Sequence, residues 1–159
     1  GTNTAALSGV AELARSLPLS DYVVCATGSG GTVAGLAKGC PSSTNVIGIA
    51  VLKQADYLNQ EISKLLTDSH SGASWQLLTN HHYGGYGKFT DDVWTFCQLM
   101  KKAYLLPLEP IYTGKMLFAI WQLISQDYFP KGTRIMAIHT GGLQGLDGLR
   151  YRGLITSEL

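Results

Sequence analysis

The sequence predicts an α/β fold in three layers, a mostly parallel sheet with helices on both faces, and two patterns carry that prediction. Short β-branched apolar runs alternate with segments of helical periodicity, an arrangement that places parallel strands beneath crossover helices. Glycine-rich turns follow directly on strands, above all Thr27-Gly28-Ser29-Gly30-Gly31-Thr32 after the first of them. The 159 residues, 45% hydrophobic and 14% charged, are enough for one domain with a packed core and too apolar for a disordered segment.

From Thr4 to Leu17 alanines and leucines recur at helical spacing, with Asn3 as N-cap and Pro18 as the stop. Asp21 to Ala26 is a β-branched run and reads as a buried strand. After the glycine turn, Val33 to Lys38 returns to helical spacing. Asn45 to Leu52 is the next strand, Ala55 to Leu66 the next helix, and Trp75 to Thr79 a third strand. His81 to Lys88 is a loop of tyrosines and glycines. Asp91 to Tyr104 is an amphipathic helix with Val93, Phe96, Cys97, Met100 and Tyr104 on one stripe. Pro107 and Pro110 break the chain before a second long helix, Thr113 to Tyr128, closed by Pro130. Thr133 to His139 is the last strand and ends in Thr140-Gly141-Gly142. No repeat, linker or low-complexity stretch interrupts this single unit.

Several function classes are excluded at this level. A formal net charge of +1 gives no electrostatic case for nucleic acid or an anionic membrane as partner. Cys25, Cys40 and Cys97 are odd in number and unrelated in spacing, which argues against a disulfide framework or zinc site and for a reducing compartment. No apolar stretch reaches the ~18 residues of a membrane span, and the opening residues lack signal-peptide character, so a soluble, cytoplasmic protein is expected. His81 and His82 point apart on extended chain without a carboxylate or cysteine at ligand spacing, so no metal is expected. His139 ends a strand and is expected to be buried with a satisfied partner.

The turn from Thr27 to Thr32 carries the strongest functional signal. Glycines between a buried strand and a helix let backbone N–H groups converge on an anion, helped by the helix N-terminus. Ser29 and Thr32 add hydroxyl donors. The competing reading is a tight turn with no ligand. Gly28 and Gly30 begin a G-x-G-x-x-G pattern, but Val33 stands at its third glycine, and no G-K-[ST] follows. A dinucleotide or a Walker-type nucleotide site is therefore excluded, and a compact phosphate monoester fits better.

The string Ala26-Thr-Gly-Ser-Gly-Gly-Thr-Val-Ala-Gly-Leu-Ala-Lys-Gly39 resembles the phosphate loop of fold-type-II pyridoxal 5′-phosphate (PLP) enzymes. Gly85-Tyr86-Gly87, Glu109-Pro110-Ile111-Tyr112-Thr113-Gly114-Lys115 and Ile138-His139-Thr140-Gly141-Gly142 follow in order, and Gly1-Thr2-Asn3 is similar to a glycine-serine-asparagine segment. Together these resemble the D-cysteine desulfhydrase and 1-aminocyclopropane-1-carboxylate deaminase family over essentially the whole chain. The resemblance implies the tryptophan synthase β-like fold and PLP as cofactor. Its phosphate would be held by Gly28, Ser29, Gly30, Gly31 and Thr32, and its ring nitrogen would meet Thr140 beside Gly141. Tyr86 and Tyr112 match the two active-site tyrosines, here the candidate catalytic residues, and Thr113 matches a cofactor neighbour. Lys115 is either a cation at the cofactor or a surface charge.

Position 113 separates the branch's members. The deaminases resemble one another in a glutamate directly after the second tyrosine, able to keep the pyridine nitrogen protonated and the ring a strong electron sink. Here that residue is Thr113, as in the desulfhydrase pattern. A neutral hydroxyl makes a weaker sink, adequate for eliminating a good leaving group such as thiolate. The resemblance therefore implies a lyase for a small amino acid, D-cysteine desulfhydrase ahead of the cyclopropane deaminase. A non-catalytic module binding a phosphorylated ligand is the reading from a different class.

In this family the Schiff-base lysine lies in a glycine-asparagine-lysine stretch, and a serine-asparagine-histidine segment supplies a catalytic serine. None of the eight lysines here has that context, and the serine segment is absent as well. The expectation is that residues 1–159 form the C-terminal, cofactor-binding part of a longer, homodimeric enzyme and are inactive alone.

Overall fold

A computed structural model describes residues 3–67 and 72–156; Gly1 and Thr2 of the opening segment lie outside the described residues. Asn3 caps the first helix, α1 (Thr4–Ser16), its Oδ1 accepting the Ala6 amide at 2.8 Å. The strand β1 (Tyr22–Thr27) leads through the glycine turn into α2 (Gly31–Gly39), and β2 (Asn45–Ala50) follows. A 3-10 turn, Ala55–Tyr57, opens α3 (Leu58–Leu65), before β3 (Ser74–Leu78). Then come α4 (Asp91–Tyr104), α5 (Thr113–Ser125), β4 (Ile135–Ala137) and α6 (Gly145–Tyr151).

The four strands form one sheet in the order β3-β2-β1-β4, parallel throughout, with Tyr22 opposite both Asn45 and Ile135. Alternation along the central strands sorts side chains between two cores. Val23, Cys25 and Val46 face α1 and α2, packing with Val33, Leu36 and Ala37. Val24, Ile47 and Ile49 face α5, packing with Met116, Ala119, Ile120 and Leu123. Each fully buried aliphatic contributes roughly 1.5–3 kcal/mol relative to exposure. The expected three layers are thus present. α4 lies outside α5, joined through Val93, Phe96, Cys97 and Met100. Acidic Asp91 and Asp92 in its first turn and Lys101 and Lys102 in its last complement the helix dipole.

Helix α1 packs tightly on α2 because α2 presents glycines to it. A Cβ on Gly39 would lie 2.1 Å from the Ala11 carbonyl oxygen and 2.6 Å from the Ala14 Cβ. Gly39→Ala is expected to destabilise the protein by about 2 kcal/mol through overpacking, lowering Tm by roughly 4–8 °C. Gly9→Ala, on the exposed side of α1 with nothing within 4 Å of the added carbon, should instead stabilise by roughly 0.5–1 kcal/mol. Equal melting temperatures for the two variants would refute this account of the helix contact.

Most elements differ from the sequence expectation by one to three residues at an end, as where α5 stops at Ser125 and not Tyr128, and three departures are larger or bear on the site. α2 begins at Gly31, so the last two residues of the glycine turn already belong to the helix. β4 keeps only three residues of the run from Thr133 to His139. α6 was not expected; its Leu146 and Leu149 pack with Ile155, Phe89 and Trp94. All three cysteines are buried and free. Among the described residues no helix is long and apolar enough to cross a membrane.

Candidate functional site

In a parallel sheet the crevice outside the carboxyl ends of the strands, where strand order reverses, is open to a ligand. Here the reversal falls between β1, continued on one side by β2, and β4 on the other. The glycine turn leaves β1 at this point and Thr140 follows β4. A cleft of about 400 Å³ lies between them. On one wall stand Ala26, Gly28, Ser29 and Thr32; on the other, Tyr86, Tyr112 and Thr140.

The glycine wall is shaped for close backbone approach. Gly30, the N-cap of α2, has φ +83°, and no side chain caps the helix, so the amides of its first turn, which have no intrahelical acceptor, are left for an anion. A Cβ on Gly30 would come within 2.7 Å of Ile62 Cγ1. At Gly28 a Cβ would sit 3.4 Å from Tyr112 Cε1 and 3.5 Å from its hydroxyl oxygen. The turn and the tyrosine are therefore closely fitted, and Ser29 and Thr32 line the cleft beside them. Gly30 and Gly31, both buried, lie behind the cleft surface and can contribute backbone only.

The opposite wall is set by hydrogen bonds to main chain. His139 is exposed, contrary to expectation, but both its ring nitrogens are engaged: Nδ1 accepts the Gly141 amide at 3.0 Å and Nε2 lies 2.8 Å from the Pro107 carbonyl oxygen. That arrangement requires the proton on Nε2 and fixes the turn carrying Thr140. Tyr86 and Tyr112 meet edge to face, ring centroids 6.2 Å apart at 82°. Burial first, then a hydrogen bond with Tyr86 and the nearby Glu109 carboxylate, pushes the Tyr112 phenol up to about 12. It keeps its proton across the physiological range.

Two buried ionisable residues underlie this wall. Glu109, 3% exposed, accepts the amides of Ile111 at 2.7 Å, Tyr112 at 3.0 Å and Thr113 at 2.6 Å. It thereby places a carboxylate at the N-terminus of α5, where the dipole favours it. Lys115 is fully buried; its Nζ donates to the carbonyls of Gly85 at 2.8 Å and Val51 at 3.3 Å. Burial lowers its pKa to about 8, against an opposing upward pull from Glu109.

The structure brings six of the expected residues, Gly28, Ser29, Thr32, Tyr86, Tyr112 and Thr140, to one cleft. Gly141 lines a larger adjoining cleft of about 710 Å³ that shares Tyr86, Tyr112 and Thr140. Thr113 is not brought there: it is 1% exposed, and its hydroxyl donates to Glu109 Oε1 at 2.9 Å. The carboxylate four residues upstream captures it. Lys115, expected at the cofactor or on the surface, lies inside the protein and lines neither cleft. Glu109, part of the Glu109–Lys115 segment, is a functional residue with no role expected from sequence. An acid four positions ahead of a helix start, and a lysine on the apolar stripe of Met116, Ala119 and Leu123, are the signals that could have marked this pair.

The family model described as pyridoxal-phosphate dependent enzyme matches residues 1–141. The bifunctional D-cysteine desulfhydrase/1-aminocyclopropane-1-carboxylate deaminase of Arabidopsis thaliana mitochondria is 30% identical over 92% of this chain and 41% of its own length. A Pyrococcus furiosus protein named as a putative 1-aminocyclopropane-1-carboxylate deaminase is 34% identical over 79% of this chain and 40% of its own. For the D-cysteine desulfhydrase of Yersinia enterocolitica the figures are 30%, 89% and 46%. The crystal structure of a 1-aminocyclopropane-1-carboxylate deaminase homologue superposes with a TM-score of 0.67 at 28% identity, covering 94% of this chain and 49% of that one. The chain thus spans less than half the length of the relatives it matches.

Proposed function

The chain belongs to the pyridoxal-phosphate dependent enzyme family, and from that premise we propose that it is the cofactor-binding part of a lyase acting on D-cysteine. The overall conversion takes D-cysteine and water to pyruvate, ammonia and hydrogen sulfide. When bound, PLP supplies an electron sink for charge developing at the amino-acid α-carbon. The residues of the cleft fit that group, since Gly28, Ser29 and Thr32 border a cleft of about 400 Å³ and no side chain caps the first-turn amides of α2.

In this reading the first-turn amides of α2 and the hydroxyls of Ser29 and Thr32 hold the phosphate, and Thr140 meets the ring nitrogen. Tyr86, 66% exposed, faces incoming substrate, and Tyr112 presents a phenol that stays protonated. None of the eight lysines lines the cleft. We infer that the amine which takes the α-proton comes from a segment outside this sequence, and that these residues alone are inactive.

The observation that favours elimination over cyclopropane opening is that, among the described residues, no carboxylate lines the smaller cleft, where Thr140 offers a neutral hydroxyl. Glu109 borders the larger cleft, but its oxygens are committed to the α5 amides. A neutral partner leaves the ring nitrogen a weaker sink, sufficient to expel a thiolate. The test is to incubate the full-length, PLP-loaded protein with D-cysteine, L-cysteine and 1-aminocyclopropane-1-carboxylate. Pyruvate and sulfide from D-cysteine are expected. Formation of 2-oxobutyrate from the cyclopropane substrate as the main activity would overturn the assignment.

A further inference from the structure

We propose that Lys115 is a positioning residue for Tyr86, its buried ammonium fixing the Gly85–Tyr86 peptide and hence the stance of the tyrosine over the cleft. This rests on the reading of Tyr86 as an active-site residue.

Lys115 stands on the buried stripe of α5, where an apolar side chain would fill the space without the cost of burying a charge. No carboxylate pairs with it within ion-pair distance among the described residues. Its partners are two main-chain carbonyls beyond the carboxyl ends of neighbouring strands: Val51 after β2, and Gly85 in the loop between β3 and α4. The Gly85 carbonyl belongs to the same peptide plane as the Tyr86 nitrogen.

The remaining restraints on that unit are local or at the ring: the Gly85 amide donates to the His82 carbonyl at 3.2 Å, and the Tyr86 ring meets Tyr112. Gly84, Gly85 and Gly87 all have positive φ, and the Tyr86 ring is mostly exposed. The Lys88 amide, 3.1 Å from the Gly85 oxygen, is a second anchor from within the loop, whereas Lys115 ties the loop to a helix of the central core. A charged donor makes a stronger bond than a neutral amide. The other ionisable groups facing Lys115 are Glu109, which supports its proton, and His82, whose own pKa is lowered by burial and by the charges of Lys53 and Lys115.

Two measurements test this. In the full-length, PLP-loaded protein turning over D-cysteine, Lys115→Met should lower kcat about 10- to 100-fold, as expected for a reacting group displaced by about 1 Å, with KM changed less than about threefold. Added to Tyr86→Phe, the same substitution should cost less than about twofold, since its target is gone. Additive losses would overturn the proposal. The second measurement needs no activity, and its pH arm needs no variant. Gly85–Tyr86 is the only Gly–Tyr pair in the sequence, so carbonyl-13C glycine with 15N tyrosine labels that peptide alone. Its resonance should move as the pH is raised and Lys115, whose pKa burial lowers to about 8, gives up its proton, and should be displaced at neutral pH in Lys115→Met. A resonance that stays put in a folded Lys115→Met, or that does not move anywhere in the pH range over which the wild-type protein stays folded, would overturn the proposal. Should Tyr86→Phe retain full activity, the site reading fails and the resonance alone decides the role of Lys115.

Discussion

Replacing Glu109 with alanine is expected to destabilise the protein by about 3–5 kcal/mol, because it strands a set of buried donors. The amides of Ile111, Tyr112 and Thr113 and the hydroxyl of Thr113 all give their protons to this one carboxylate. Water cannot readily take its place at a residue 3% exposed. The substitution also removes the field that supports the proton on Lys115, which should then lose it at a lower pH than with Glu109 present. Glu109→Gln keeps an acceptor oxygen but loses the charge and turns an NH2 group toward the same donors, so its loss should be roughly half as large. Urea denaturation of the three proteins checks the order. A loss for Glu109→Ala below about 1 kcal/mol would mean that the start of α5 is held by its packing and not by its cap. PLP affinity should fall with stability, since the Tyr112 amide is among the groups released and its ring packs on Gly28.

How far the sequence could be read follows from where the information is local. The β1–turn–α2 unit was legible because a β-branched run, four glycines within nine residues of Thr27 and a helical pattern are contiguous, and each restricts the backbone in its own way. The same holds for Asn3, whose capping bond spans three residues. α6 was illegible because Gly145 and Gly148 dilute its helical signal, and its two buried leucines make sense only against Phe89 and Trp94, about sixty residues earlier. At the site, Gly28, Ser29, Thr32 and Thr140 could be placed because they sit where strands end, and parallel topology brings strand ends together. The orientation of Thr113 could not be, since a rotamer set by a hydrogen bond to Glu109 leaves no trace in periodicity. Lys115 was misjudged for a related reason: that a lysine can be buried depends on two carbonyls, 64 and 30 residues away in sequence.

Gly30→Ala should damage both the fold and the cofactor site, through one dihedral angle. With φ at +83°, any residue bearing a Cβ is strained by roughly 1–2 kcal/mol, and the new carbon would approach Ile62 Cγ1 to 2.7 Å. Ile62 is fully buried in the core between α2, α3 and the sheet, so it has little room to yield. The turn relieves the strain by rotating the Gly30 peptide, which turns the leading amides of α2 away from the point on which they converge. Losing one or two charge-assisted hydrogen bonds, at about 1.5–3 kcal/mol each, corresponds to a loss of PLP affinity of roughly 10- to 100-fold or more. Titration of PLP into the cofactor-free, full-length protein measures that loss, and thermal melting of the same samples measures the cost to the fold. Gly132→Ala is the control, at φ +81° with open space around the added carbon: the same strain far from the cleft, lowering Tm while leaving affinity unchanged. If both variants lost stability and neither lost affinity, the amides at the start of α2 would not be the phosphate's ligands.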